Sequence, residues 1–192
     1  MKNNTIAVVL CLIMMAGCST NENDSVKQAH EKNLNAAIDE KISRFMTEAA
    51  DARMMDIEEG KLAMQNGTND LIKNYGQRMV TDNTKLLQEL RTLAASKNIT
   101  LPQQLSNEKA DELENLGEKE GKEFDQKFIK MMRADHKRDA DRFESAAEEC
   151  KDQDVKSFAS KNLAVVESHL TMLEQVNDSN ERITEGQPDT QD

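Results

Sequence analysis

The chain has no tryptophan, one tyrosine and five phenylalanines, so aromatics make up 3% of its 192 residues. That excludes the stacking platforms on which single-strand nucleic-acid binders lay successive bases. Basic residues are in deficit: 25 Lys and Arg against 36 Asp and Glu leave a formal net charge of −11. Phosphate neutralisation needs clustered cations, so nucleic acid is not an expected partner. Two prolines and seven glycines leave little to interrupt long helices. Cysteine is scarce as well: of the three, Cys11 and Cys18 fall in the N-terminal segment and only Cys150 in the body of the chain. An intramolecular disulfide is therefore not expected in the mature protein.

What is present begins at the N-terminus. "MKNNTIAVVLCLIMMAGCST" has a basic Lys2, an apolar run from Ile6 to Met15, then small residues. This is the pattern of a signal peptide, too short for a stable transmembrane span. Its end, Met15-Ala16-Gly17-Cys18, resembles the bacterial lipobox, which implies cleavage after residue 17 and acylation of Cys18. Two or three acyl chains anchor durably, because each buried methylene contributes ~0.8 kcal/mol. The membrane, reached through this lipid, is thus an expected partner; no protein partner can be named. Ser19 after Cys18 favours the outer membrane, with the domain on the periplasmic side or exposed at the surface.

Residues 18–38 are polar and read as the lipidated terminus and a tether, with His30 a solvated linker residue; 177–192 read as a disordered acidic tail. Between them, 39–176 read as four long helices and one short one. The first carries the seam Ile42, Phe45, Ala49, Ala52, Asp56, Gly60, Ala63, and the second Ile72, Gly76, Met79, Asn83, Leu86, Leu90, Leu93. The third carries Ile129, Met132, His136, Ala140, Phe143, Ala147 and Cys150, and the fourth Val155, Ala159, Asn162, Val166, His169, Leu173 and Val176. Steps of three and four alternate, the period of helices packed at about +20°. "NGTN" (66–69) and Lys151–Asp154 supply tight turns, with Thr68, Asn69 and Asp152 as candidate caps. A longer connection holds "NITLPQQLS" and a short helix with Leu113 and Leu116. Two hairpins joined in this way predict an all-α fold, an antiparallel four-helix bundle with a short extra helix between helices two and three.

Each seam is broken by a polar residue: Asp56, Asn83, His136 and His169, with Asn162 a second break in the fourth helix. Burying such a group without a partner costs ~1–3 kcal/mol, so these residues either meet one another or meet a ligand. Counted from the hairpin turns at 1.5 Å per residue, they lie at roughly 16, 21, 21 and 26 Å, consistent with one polar layer inside the bundle.

"DIEEGKLA", "MVTDNTK", the "LP" of the loop, "FDQKFIKMMRADH" and "FASKNLAVVESHL" together resemble the bacterial envelope family described as domain of unknown function 4142. The similarity covers roughly residues 45–176, and it rests on the order and spacing of these stretches. It implies a ferritin-like fold with no settled activity. Asp135-His136 and His169 match the family's pattern. Such proteins usually carry glutamate where this chain has Asp56, histidine where it has Asn83, and proline where it has Ala164.

A ferritin-type di-iron site needs two Glu-x-x-His pairs, and here Arg133 and Val166 stand three residues before His136 and His169. A single divalent metal held by Asp56, His136 and His169 is the remaining metal candidate. Against it stands a hydrogen-bonded layer that fixes helix register, with no cofactor. Methionine pairs at 54–55 and 131–132 read as core filler. "GEKEGK" (117–122) has the wrong spacing and charge for a phosphate loop. Glu148 and Glu149 disfavour a reactive Cys150 thiolate. No nucleophile–base pair is specified, so a non-catalytic binding or structural, stress-related envelope protein is expected ahead of an enzyme. A metal-binding or metal-dependent redox protein is the alternative.

Overall fold

The computed structural model describes residues 24–184, with side chains to Arg182. Cys18 and the segment expected to be a signal peptide lie outside the described residues, as does the chain beyond 184. Among the described residues the protein is all-α. Its six helices are α1 (Ser25–Asn35), α2 (Glu40–Asn66), α3 (Asp70–Ser96), α4 (Asn107–Gly117), α5 (Gly121–Glu149) and α6 (Gln153–Thr184).

Side-chain caps define the helix starts. Asp39 Oδ1 accepts from the Lys41 and Ile42 amides at the start of α2. Asn69 Oδ1 accepts from Ile72 N at 3.1 Å to open α3, and Thr68 instead bonds the Asp125 carboxylate. Asp152 Oδ1 accepts from the Asp154 and Val155 amides at the start of α6. Each such cap is worth about 1 kcal/mol.

The four long helices form the body of a helical bundle. α2 packs on α3 and α5 on α6, each pair joined by a short turn; α2 also packs on α5 and α3 on α6. Their inward faces build two apolar clusters. One contains Phe45, Met46, Leu90, Phe143, Val155 and Phe158, with the Phe45 and Phe143 rings edge to face at 5.3 Å. The other contains Ile72, Tyr75, Met79, Phe124, Phe128 and Leu173. On every long helix the polar interruption falls between the two: Asp56 between Ala50 and Ala63, Asn83 between Met79 and Leu86, His136 between Met132 and Phe143, His169 between Val166 and Leu173.

Two expectations need correction. The stretch read as a tether contains α1, which packs on α2. Asp24 caps it through Oδ1, buried Asn33 exchanges hydrogen bonds with the Thr100 backbone, and His30 Nδ1 lies 2.8 Å from Ser43 Oγ rather than in free solvent. The apolar content of α1 is low, but Ala29 and Asn33 recur at helical spacing and both are buried. At the other end, α6 continues to Thr184, eight residues into the stretch expected to be a disordered tail. No helix among the described residues is long and apolar enough to cross a membrane.

Candidate functional site: a buried polar layer

Asp56, Asn83, His136 and His169 are all buried, the last three at 0% exposure. α2 brings more than Asp56. Arg53 and Glu59 lie three residues to either side of it, on the same helical face, and both are fully buried. Arg53 Nη2 pairs with Asp56 Oδ2 at 3.0 Å and with the Asp139 carboxylate of α5. Its guanidinium carbon lies 5.8 Å from the centre of the Phe143 ring, a cation–π placement at the edge of the first apolar cluster. Asp139 is shared with Arg142, which continues to Glu48 at 3.0 Å. The network therefore runs from the interior to the surface between α2 and α5.

The Arg53 charge sets the state of Asp56. Burial pushes the Asp56 carboxyl upward, but the Coulomb effect of Arg53, joined by His136 and His169, outweighs it and holds the group below the usual carboxylate range. Glu59 has no such help. Neither of its oxygens has a hydrogen-bond partner among the described residues. Burial, with the like charges of Asp56 and Asp135, drives its pKa well above the usual range and favours the protonated form.

The histidines form a second line. His136 Nδ1 lies 3.1 Å from the Met132 carbonyl, and His136 Nε2 lies 3.2 Å from His169 Nδ1. His169 Nε2 lies 3.0 Å from Asp82 Oδ2, which also pairs with Arg78 Nε. Burial lowers the pKa of both imidazoles, that of His136 to about 4. Asp82 is depressed: burial acts upward, but the His169 and Arg78 contacts prevail. Asn83 Nδ2 donates back to the Met79 carbonyl at 3.0 Å, and its Oδ1 has no hydrogen-bond partner among the described residues.

The metal candidates thus have other partners. Asp56 is committed to Arg53, while His136 and His169 face each other. Among the described residues no group of three or more His, Cys, Asp or Glu side chains is placed to hold a metal ion. The cation inside the layer is a guanidinium supplied by the chain itself. Asn162, the second break, is satisfied within α6 by the Phe158 carbonyl at 2.9 Å.

Arg53, Glu59, Asp82 and Asp139 were missed by reasoning from the seams. Three of them carried a signal: Arg53 and Glu59 stand at i−3 and i+3 from Asp56, and Asp139 at i+3 from His136. Charged residues at those offsets read as solvated flanks unless the partner helix is known to answer them. Asp82 sits beside Asn83, off the seam, and only the position of α6 makes it a partner of His169.

No curated protein and no solved structure matches the chain. Residues 25–176, from the start of α1 to the α6 seam residue Val176, match a family described as Domain of unknown function (DUF4142), and the chain belongs to that family.

Proposed function

We propose that the protein is a lipid-anchored component of the cell envelope, held in the outer membrane through Cys18, with its domain in the periplasm. Its ferritin-like four-helix bundle is a non-catalytic binding or structural module with a stress-related role. The observation that carries the non-catalytic reading is the internal pairing of the layer's charged groups. The buried carboxylates Asp56 and Asp139 share a guanidinium from Arg53, and both ring nitrogens of His136 and His169 already face partners. A layer neutralised from within fixes helix register, the best-attested use of buried polar groups. The lipobox-like end of the N-terminal segment supports the anchor.

Two measurements test this reading. Protein purified without chelator should contain no stoichiometric transition metal; one tightly held ion per chain would replace the structural role by a metal-dependent one. Cys18→Ser should abolish incorporation of labelled fatty acid and leave the precursor unprocessed. Persistent labelling of that variant would remove the anchor.

A further inference from the structure

We propose that the line from the Met132 carbonyl through His136 and His169 to Asp82 is a binding site for one exchangeable proton, taken up between the two buried rings. The argument is a count. The line has three contacts, at 3.1, 3.2 and 3.0 Å, all of hydrogen-bond length. Both ends only accept: a carbonyl oxygen at one, and at the other a carboxylate whose pKa the His169 and Arg78 contacts hold down. Each neutral imidazole brings one N–H, so two hydrogens must serve three contacts.

The charge-assisted bond to Asp82 is the strongest and claims the hydrogen of His169. The hydrogen of His136 goes to Met132. His136 Nε2 and His169 Nδ1 then face each other as lone pairs at 3.2 Å. One added proton closes that contact and leaves a His169 imidazolium between Asp82 and neutral His136. A second has no acceptor, because it would set two N–H groups against each other. The site holds one proton, and the histidines titrate as a unit.

The surroundings set where loading occurs. From α2, Asp56 favours a charged ring and Arg53 opposes it. Burial holds Glu59 towards its protonated form, and Asp139 of α5 is taken up by Arg53 and Arg142. Asp135 beside His136 is paired with Arg138. From α3, Arg78 is paired with Asp82, and the Tyr75 hydroxyl donates to the His169 carbonyl at 3.4 Å. With burial the largest influence on both rings, loading falls below the ordinary histidine range. The route is through Asp82, whose side chain is 20% exposed while the rings are sealed.

Ring nitrogen resonances of the ¹⁵N-labelled full chain, followed from pH 8 to pH 4, test the proposal. One proton should be taken up by the pair, with His169 acquiring two N–H groups while His136 keeps one. Asp82→Asn removes the charge and can donate its own N–H to His169 Nε2, filling the third contact without uptake. In that variant the step should fall by about one pH unit or more, or vanish. Independent charging of both rings, an unchanged step in Asp82→Asn, or zinc binding between the rings at neutral pH would each overturn the proposal. So would collapse of the folded amide spectrum on acidification with both rings still neutral.

Discussion

Gly60 of α2 and Gly76 of α3 lie back to back, each so close that a Cβ on one would meet the carbonyl oxygen of the other. A Cβ at Gly60 would come within 2.7 Å of Gly76 O, and one at Gly76 within 2.6 Å of Gly60 O. The two backbones touch here, one turn from Asp56, and this sets the separation of α2 and α3 beside the polar layer. Gly60→Ala or Gly76→Ala must push the helices apart rather than move a flexible side chain. Either change should cost about 1–3 kcal/mol, the upper end being expected because the obstacle is backbone. Urea denaturation of each variant measures this, and a loss below about 0.5 kcal/mol would show that the crossing adapts.

Arg53 is the cation on which Asp56 and Asp139 depend. Arg53→Met removes it and leaves buried Asp56 without a cation and Asp139 with Arg142 alone, at a cost of about 3–5 kcal/mol near neutral pH. The pH dependence has a definite sign. In the parent, the folded Asp56 carboxyl is depressed, so its contribution is present above the unfolded value and is lost as pH falls through the folded one. Without Arg53, burial dominates and the folded value rises, so the deficit should shrink on acidification as the carboxylates take up protons. Denaturant midpoints of both proteins at pH 5 and pH 7.5 decide it.

Glu59 has the opposite sign. Its raised folded pKa means that folding binds a proton there, so its contribution is present below about 4.5 and declines as pH rises towards the folded value. Glu59→Met replaces an unpartnered carboxyl with a thioether of similar length. It should stabilise the bundle by about 1–3 kcal/mol at pH 7.5 and less at pH 5. Thermal midpoints at the two pH values give the comparison, and a destabilised variant would show that Glu59 has a partner that matters.

Asn83→His places a third imidazole at a fully buried position between the two apolar clusters. With Asp56 committed to Arg53, the larger ring overpacks the seam and should cost about 1–3 kcal/mol. Zinc or cobalt should leave its unfolding midpoint where it was. A metal-dependent rise in that midpoint, greater at pH 7.5 than at pH 5.5, would reveal ligand geometry in the layer.

The four long helices were legible because their seams repeat at bundle spacing and the starts of α3 and α6 carry Asn69 and Asp152 as caps. The four interruptions were legible for the same reason, as polar residues on apolar stripes. α1 was not, since it buries little beyond Ala29 and Asn33 and owes its place to bonds with Thr100, far along the chain. The cation of the layer was hidden differently. Arg53 and Asp56 are spaced like an ordinary surface pair, and what makes them interior is Asp139 approaching from α5. A seam reports which face of a helix is buried; it does not report the width of that face when two helices both present charge.

Asp24 ties the start of the domain down at two places, with Oδ1 on the Val26 and Lys27 amides of α1 and Oδ2 on the Asn107 amide of α4 at 3.0 Å. If Cys18 carries the lipid, six residue steps separate the anchored atom from this clamp. Fully extended, they span at most about 20 Å, whereas a leash running to Asp39 would have reached roughly 70 Å. The bundle would then ride against the bilayer surface instead of sweeping a wide radius. A partner rooted in the same membrane would be within its reach, and one fixed far across the compartment would not.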